Sequence, residues 1–368
     1  PVGLDPVAAR LMAQYLWPIA ASMPAMVVTN VGIACLRGAG ESRSPLWIMM
    51  VANIVNLPLN VLLSGVALHF TVMGTEVNWA GIPWLSMGIA GVGLATCIAR
   101  CVAALIVLWL LLRGEAVMRL HWHRMKPRWT SLKRLMNVGL PNLWESLGMW
   151  TGNFIIILVI GQVVAAASGA PGMIGAHQIT IRLESFSFLP GFAMGMAAAT
   201  LAGQYLGAGS PAMARRAVLI CTGVSIAIMG LMGAALLLIP RAIVGVLSDQ
   251  AIHLQETPSL LMLAGVMQVP FAMAIVFRQA LRGVGDVRVV LLITWITTYL
   301  VRLPLTFLLS GADIPIPEWA GGGVIENPSP VAWGLWGVWL GLSAEIVVVR
   351  APLFAIRFLR GDWAKARV

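Results

Sequence analysis

Six ionisable side chains lie well inside long apolar stretches of this sequence, where a charge needs a partner or a function. They are Arg100, Glu145, Arg182, Glu184, Arg302 and Glu345. Placing such a group in hydrocarbon costs about 3 kcal/mol on insertion scales. A carboxylate held away from bulk water can take up and release a proton, bind Na⁺ or attract a cationic ligand. These residues therefore predict cation coupling or ligand binding inside a membrane.

Glu145 is the leading candidate among the six. It lies four residues after Pro141, which opens the hydrogen-bond ladder of its helix. It has two interpretations, a coupling or binding group and a structural ion pair with an arginine of the next helix. We expect Gln178 or Arg182 to contact Glu145 in one state. Arg182 and Glu184 are two residues apart, so they point about 200° away from each other on a helix and cannot be simple partners.

The remaining charges, Arg100, Arg302 and Glu345, are predicted to be structural. Arg302 and Glu345 lie at similar depth in two spans joined by a short hairpin, so we expect them to pair. Arg100 occupies nearly the position that corresponds to Glu345 in an internal repeat. Its expected partners lie on one face of the preceding span and are Asn53, Asn56 and Asn60.

The composition places these charges in lipid. The chain of 368 residues is 59% hydrophobic and 10% charged, with a mean hydropathy of +0.89, whereas a soluble domain carries about 25% charged residues. Nine segments approach the ~20 apolar residues that a membrane-spanning helix needs. They are 11–36, 45–69, 88–112, 135–163, 173–204, 214–246, 257–281, 287–310 and 331–358. The sequence therefore predicts an all-α polytopic membrane protein, because these segments are too long and too uniformly apolar for barrel strands.

Basic residues indicate how the helices are oriented. Loops and the tail on one side hold 19 of the 24 Lys and Arg residues, whereas the opposite loops, 70–87, 164–172 and 311–330, hold none. By the positive-inside rule, the basic side and the carboxyl terminus face the cytoplasm. Topology thus explains the formal net charge of +10, and no nucleic-acid partner is expected. Neither a metal site nor a cofactor is predicted.

An internal repeat divides the chain. LRGAGESR at 36–43 returns as LRGVGDVR at 281–288, and two further blocks recur in the same order at an offset of about 246 residues. The repeat predicts 1–132 as the C-terminal half of a first lobe, with its cytoplasmic linker. It predicts 133–368 as a complete second lobe of six helices. On this spacing, about 113 residues with three more helices precede Pro1 in an intact bundle of six plus six.

Five motifs occur in a fixed order: the doubled LRGxG[ED]xR, GLPNLWE at 139–145, AHQI at 176–179 and GQYLGAG at 203–209. In this order they resemble the multidrug and toxic compound extrusion (MATE) transporters, from that family's fourth helix to its twelfth. Glycines in LRGxG let the chain leave its helix with positive φ. We expect Glu41 and Asp286 to tie the two turns through Arg43 and Arg288. The resemblance implies a MATE-like bundle of two lobes that is not an enzyme.

The resemblance also implies a function. It predicts a cation-coupled antiporter, driven by H⁺ or Na⁺, that exports organic and often cationic amphipathic compounds by alternating access. It places an essential acidic residue at Glu145, and the remaining coupling or substrate candidates are Gln178, Arg182, Glu184 and Gln268. We expect a monomer in the bilayer of the inner (plasma) membrane, with small organic cations as substrates and the coupling ion in place of a cofactor.

One position departs from the family. Some members hold an Asp in the tenth helix where this chain has Phe271, and Gln268 is the nearest polar residue. Hard cations need several oxygen ligands, so the departure weakens a Na⁺ site and favours proton coupling. The alternative function is a lipid-linked oligosaccharide or polysaccharide flippase of the same superfamily. That function would need a cluster of cations for phosphates, and Arg182 and Arg302 are too few.

Overall fold

The structure is a computed structural model and describes residues 6–72, 75–79, 82, 85–114, 119–121, 128–166, 173–315, 322–361 and 363. Helices dominate the described part. In chain order they are α1 (Pro6–Ala21), α2 (Met23–Gly38), α3 (Arg43–Ser64), α4 (Ile89–Arg113), α5 (Trp129–Ala166), α6 (Met173–Gly207), α7 (Pro211–Leu238), α8 (Pro240–Gly245), α9 (Ala251–Gly283), α10 (Val287–Trp295), α11 (Leu303–Ser310), α12 (Gly334–Ala344) and α13 (Ala351–Arg360). Two π-helical segments continue these helices. The first π segment (Ile296–Arg302) joins α10 to α11, and the second (Glu345–Arg350) joins α12 to α13.

The helices confirm the predicted all-α membrane class. Among the described residues, eight continuous helical stretches are long and apolar enough to cross a membrane. The count reaches nine if the bent pair α1 and α2 forms one span. Two short antiparallel strand pairs lie between spans, β1 (Leu68–Val72) with β2 (Thr75–Trp79) and β3 (Ile314–Pro315) with β4 (Val324–Ile325). Parts of the predicted loops 70–87 and 311–330 are thus paired backbone, while residues 167–172 of loop 164–172 lie outside the described residues.

The first predicted span is not one straight helix. The segment 11–36 breaks at Ser22, and the axes of its two parts differ by 49°. Pro24 causes the break, because proline has no N–H to donate and its ring collides with the carbonyl four residues earlier, at Ala20. The apolar pattern predicted the length of this span correctly and missed its bend.

Two compact units make up the chain, Pro1–Lys126 and Pro127–Val368. The first unit packs α2, α3 and α4 around the buried residues Leu36, Ile48 and Val107. In the second unit, one cluster stacks the aromatic rings of Phe277, Phe358 and Trp363, and another surrounds Trp339. Each unit therefore has an apolar core of its own. The assignment of 1–132 and 133–368 to two lobes remains a prediction.

Matching glycines give the two units the same turns. Gly40 and Gly285 have φ of 89° and 87°, and Gly65 and Gly311 have φ of 68° and 67°. Both LRGxG turns close in the Schellman pattern: the N–H of Gly285 donates to Arg282 and that of Asp286 to Leu281, with the same two bonds in the first copy. Positive φ at these positions needs glycine, so the repeated sequence is also a repeated backbone.

The acidic residue after each turn has a different partner from the one expected. The Glu41 carboxylate accepts from the backbone N–H groups of Ser44 and Arg43, and these bonds lower its pKa. Asp286 instead accepts from Nε of Arg357, on α13, at 2.7 Å. Glu41 thus does meet Arg43, through its backbone N–H and by electrostatic attraction, whereas Asp286 pairs with Arg357 and not with the expected Arg288. A carboxylate at the start of a helix is stabilised by the free backbone N–H groups there, or by a cation on a neighbouring helix.

The π segments explain why the repeat spacing drifts. Leu36 and Leu281 are 245 residues apart, Gly65 and Gly311 are 246 apart, and Arg113 and Arg360 are 247 apart. Each increase by one residue spans one π segment, while the corresponding helices α3 and α4 are α-helical throughout. A π turn accommodates one extra residue within a helix and is frequent at functional sites. The second unit therefore carries two single-residue insertions that the first unit lacks.

A buried charge network as candidate functional site

Glu145 on α5 is buried completely and is held by α9 and α10. Nε of Arg278 donates to its Oε1 at 2.7 Å, and Arg282 donates to Oε2 from Nε at 3.1 Å and from Nη2. The hydroxyl of Thr294 donates to Oε1 at 2.9 Å. Both carboxylate oxygens thus bind guanidinium groups. Such charge-assisted bonds are about twice as strong as neutral ones, so this cluster ties three helices together.

Small residues let α5 approach α10 closely enough for these bonds. Gly148 lies against the indole of Trp295, whose Nε1 donates to the carbonyl of Trp144 at 3.1 Å. One turn further, the Tyr299 hydroxyl donates to the carbonyl of Gly148 at 3.0 Å. A side chain at Gly148 would displace the indole. The glycine therefore fixes the distance at which Glu145 meets Thr294.

A second cluster occupies the two π segments. Glu345 accepts from Arg302 at 3.2 Å from Nε and 3.0 Å from Nη2, and from Nε of Arg350 at 2.7 Å. Arg350 also donates to the hydroxyls of Thr297 at 3.1 Å and Thr298 at 2.9 Å. The expected contact between Arg302 and Glu345 is present. Every charged member belongs to a π segment, so the inserted residues coincide with the cluster.

Glu184 on α6 completes a network of buried charges. It is 7% exposed and close enough to Arg302 for direct electrostatic attraction, but no hydrogen bond joins its carboxylate to another side chain in the described part of the chain. Arg278 lies within electrostatic range of both Arg302 and Arg350, which connects the two clusters. Four arginines and three glutamates form the network, so its charge is +1 when all are ionised. Glu184 is its least constrained carboxylate.

Three of the predicted site residues lie apart from this network. Gln178 and Arg182 lie on the exposed side of α6, and neither is hydrogen-bonded to Glu145. Glu184 is on the buried side of the same helix, as the two-residue spacing predicts. Gln268 is fully buried and donates to the carbonyl of Ala264 at 3.2 Å, while its Oε1 has no partner among the described residues. The predicted contact of Gln178 or Arg182 with Glu145 is absent in this conformation.

Sequence analysis missed the arginines that hold the two glutamates. Arg278 and Arg350 lie inside the predicted spans 257–281 and 331–358, yet with Arg282 they were counted among the 19 basic residues of the cytoplasmic loops and tail. In the structure α9 continues to Gly283, and the second π segment and α13 continue the last span to Arg360. The spacing of Arg278 and Arg282, four residues apart and on one helix face, is the signal that could have identified them.

The position at which the family resemblance implies an Asp in some members is apolar here. Phe271 packs into the apolar cores of the second unit, with its ring centroid 5.7 Å from that of Phe188 in an edge-to-face contact. In the first unit, Arg100 donates from Nη1 to the Ser22 hydroxyl at 3.0 Å. Asn53 and Asn56 line a cavity with Arg100, whereas the amide of Asn60 donates to Asn56 at 2.8 Å. Arg100 thus donates its hydrogen bond to Ser22, at the bend between α1 and α2, and not to the asparagines.

Apolar spanning helices, a repeated half and paired charges at membrane depth define the class of the molecule, a polytopic membrane transporter. The chain belongs to the MatE family, whose model matches residues 2–62 and 141–308. Members of this family are transporters and not enzymes. The family confirms the resemblance found in the motifs.

Relatives of known name match nearly the whole chain. A probable multidrug resistance protein NorM of Thermotoga maritima is 27% identical over 357 residues, which are 96% of this chain and 68% of that protein. The multidrug resistance protein NorM of Burkholderia vietnamiensis is 30% identical over 348 residues, 92% of this chain and 66% of that protein. The chain thus spans about two thirds of the length of these relatives.

Solved structures share the fold. An outward-facing multidrug resistance MATE family transporter of the MOP superfamily superposes with a TM-score of 0.79 at 18% identity, covering 99% of this chain and 72% of that one. A MATE transporter in its bent conformation gives a TM-score of 0.77 at 18% identity, with 99% and 71% coverage. The MATE-like fold is thereby confirmed.

Proposed function

We propose that this transporter is a proton-coupled antiporter that exports small organic compounds, drugs among them. Its NorM relatives are multidrug resistance proteins, which supports the substrate class. The observation that carries the coupling is the buried Glu184, which faces Arg302 without a hydrogen bond beside a network whose other carboxylates are fully engaged. The transporter works as a monomer in the inner membrane, with its carboxyl terminus in the cytoplasm.

Glu184 is the proposed proton carrier because the two other glutamates are committed. Glu145 and Glu345 each accept hydrogen bonds from two guanidinium groups. Each of the two carboxylates accepts three hydrogen bonds from arginine side chains, which would be lost if it changed its role. Glu184 is buried and can change its charge without losing a hydrogen bond. Glu145 then acts as a positioning residue that keeps α5 against α9 and α10.

Sodium is the less favoured coupling ion. Na⁺ in a protein prefers several oxygen ligands, and the oxygens of Glu145 and Glu345 already bind arginines. Phe271 and Phe188 fill the position where a second carboxylate could contribute, and Gln268 lies elsewhere on α9. A sodium ion would have to displace a guanidinium group, at the cost of an unpaired buried cation.

Protonation of Glu184 can reach the helices through Arg302. Arg302 interacts with Glu184 on α6 and with Glu345 on the second π segment. When Glu184 is neutral, Arg302 keeps Glu345 as its single carboxylate partner, and the attraction between α6 and the first π segment is lost. A π turn can pass its extra residue along a helix, so the two π segments are suited to change shape with that charge. The proton thereby favours one arrangement of α6 against α10 and α12.

Gradient-driven efflux by the full gene product tests the proposal. Ethidium efflux from inverted or whole-cell preparations is measured with an imposed pH gradient, an imposed Na⁺ gradient, or neither. We expect the pH gradient alone to drive efflux, and Glu184→Gln to abolish it while the purified variant still binds ethidium. Glu256→Gln, a glutamate near the start of α9 outside the network, is the matched control and should transport normally.

Three results would contradict this proposal. Normal proton-driven efflux by Glu184→Gln would remove Glu184 from the coupling step. Efflux driven by Na⁺ at clamped pH would identify the other ion. If neither gradient moves ethidium and labelled lipid crosses the membrane instead, the flippase alternative is correct.

A further inference from the structure

A basic cavity lies between the first turns of α5 and α10 and takes no part in the buried charge network. It measures about 280 Å³ and lies on the arginine-rich side of the chain. Two of its lining residues, Arg134 on α5 and Arg288 on α10, are exposed, and neither forms an ion pair with another described residue. The complete lining is Arg134, Asn137, Val138, Gly285, Asp286, Val287 and Arg288.

The internal repeat shows why the arginines of this cavity are not neutralised. In the first copy of the turn, the Glu41 carboxylate accepts from the backbone N–H groups of Arg43 and the next residue, and it attracts the Arg43 side chain. In the second copy, the Asp286 carboxylate binds Nε of Arg357 at 2.7 Å, away from its own turn. This pairing engages the one acidic residue of the lining, so the charge of Arg288 is left without a counter-charge.

The hydrogen-bond donors of the cavity suit a phosphate group. Guanidinium groups reach it from two helices, and they bind phosphate with parallel hydrogen bonds. The amide of Asn137 and the free backbone N–H groups in the first turn of α10 add neutral donors. Basic pockets between membrane helices on the cytoplasmic side bind the headgroups of anionic lipids. The lining therefore indicates an anionic phosphate as the ligand.

The surface next to the cavity favours a lipid over a free phosphate ion. Trp144 is seven residues beyond Asn137 on α5, and Trp295 is seven beyond Arg288 on α10, so each lies on the same helix face about 10 Å deeper. Nε1 of Trp295 donates to the carbonyl of Trp144 at 3.1 Å, yet the two residues are 40% and 54% exposed. Leu292, on the same face of α10, is 58% exposed. An exposed apolar seam thus runs from the cavity into the membrane.

We propose that the cavity binds the headgroup phosphate of an anionic phospholipid from the cytoplasmic leaflet, with the acyl chains along the seam between α5 and α10. Arg134 and Arg288 hold the phosphate from the two helices. The inference rests on the orientation given with the proposed function, and it is independent of the coupling ion and of the exported compound. A bound lipid connects the same two helices that Glu145 and Thr294 join inside the protein, so it stabilises their contact.

Titration of the purified full gene product in detergent tests the proposal. The probes are dioctanoyl phosphatidylglycerol, dioctanoyl phosphatidylcholine with the same chains and no net charge, and inorganic phosphate. Native mass spectrometry gives the affinity for each. We expect Arg134→Gln and Arg288→Gln each to weaken phosphatidylglycerol binding about fivefold, and the double variant about thirtyfold, which is the effect of one arginine at a membrane surface taken once and twice. Binding of phosphatidylcholine should stay within about twofold.

Two further double variants separate the site from the general charge of the surface. Arg134→Lys with Arg288→Lys keeps both charges without the planar forks and should retain most of the affinity for phosphatidylglycerol. Arg43→Gln with Arg216→Gln removes two arginines of the basic side outside the cavity, near the starts of α3 and α7, and should bind phosphatidylglycerol as the wild type does.

Three results would overturn the lipid site. The first is a wild type that binds phosphatidylglycerol no more tightly than phosphatidylcholine. The second is an equal loss in the cavity variant and in the Arg43 and Arg216 variant, which would show a surface charge effect only. The third is inorganic phosphate bound as tightly as the lipid, which would identify a free phosphate site. Each can occur while proton-driven ethidium efflux is intact, whereas selective lipid binding without any gradient-driven efflux would refute the antiporter and keep the site.

Discussion

Replacing Glu345 by Gln should destabilise the second unit strongly, because it leaves two buried guanidinium groups without their carboxylate. Glu345 accepts three hydrogen bonds at 2.7 to 3.2 Å, two from Arg302 and one from Arg350. Breaking a buried ion pair from one side costs about 3–5 kcal/mol. Arg350 keeps its bonds to Thr297 and Thr298, so the loss should lie near 3 kcal/mol, the low end of that range.

Thermal unfolding in detergent provides the assay. A loss near 3 kcal/mol corresponds to a decrease in Tm of about 10 °C by the scaling known for soluble domains. The control Glu256→Gln removes a glutamate outside the network and should change the free energy of unfolding by less than about 0.5 kcal/mol. Adding Arg302→Gln to Glu345→Gln returns the network charge from +2 to +1. The double variant should therefore be more stable than the sum of the two single losses predicts, by about 1–3 kcal/mol.

The double-variant cycle also provides the refutation. If Glu345→Gln shifts Tm no more than the control does, the ion pairs do not stabilise the fold. If the losses of Glu345→Gln and Arg302→Gln simply add, the two residues do not interact in the membrane. Either outcome would show that the distances between these groups do not describe a coupled cluster.

Two further predictions concern a close helix contact and one of the repeated turns. Gly337→Ala should destabilise the protein by about 1–3 kcal/mol, because a Cβ there would overlap a backbone carbonyl of α11, while Gly223→Ala, which has open space, should be neutral in the same thermal assay. Glu41→Gln should lower Tm at neutral pH, since backbone amides hold the Glu41 pKa below its ordinary 4.5, and the difference from wild type should shrink as the pH falls through the lowered folded-state value. A Gly337→Ala protein as stable as the control, or a Glu41 effect that grows in acid, would contradict these assignments.

Features of the fold that are determined by neighbouring residues in the chain were predictable from the sequence. The length of apolar segments fixed the helices, and the doubled LRGxG block predicted a common turn that the paired φ values of Gly40 and Gly285 reproduce. The hairpin argument also placed Arg302 beside Glu345. In each case the determinant is a run of residues or a backbone constraint that acts over a few positions.

The partners of the charges were not predictable in the same way. Glu145 meets Arg278, 133 residues further along the chain, because α9 stays helical to Gly283 and brings Arg278 and Arg282 to the carboxylate on α5. Both arginines lie at the basic end of the predicted span 257–281, where the positive-inside rule already accounts for them, so they resembled loop residues. The π segments were hidden for a similar reason, since one extra residue in a span of more than twenty barely changes the apolar pattern. The increase in repeat spacing from 245 to 247 residues was the one sign of the two π segments in the sequence.

The single-residue insertions in one copy have an evolutionary consequence. Gene duplication yields two halves of a protein with the same structure and function. A substitution that benefits one half is often harmful at the matching position of the other. A lone extra residue in an α-helix would rotate everything beyond it by about a quarter turn, because an α-helix advances 3.6 residues per turn. A π turn absorbs that residue locally, so the chain beyond it keeps its orientation, and the matching φ values of Gly65 and Gly311 agree with this. One such event in each of two helices therefore changes only the neighbours of residues within the π segments, and these include Arg302, Glu345 and Arg350. Division of labour between duplicated halves can thus begin with a three-nucleotide change, long before their sequences have diverged.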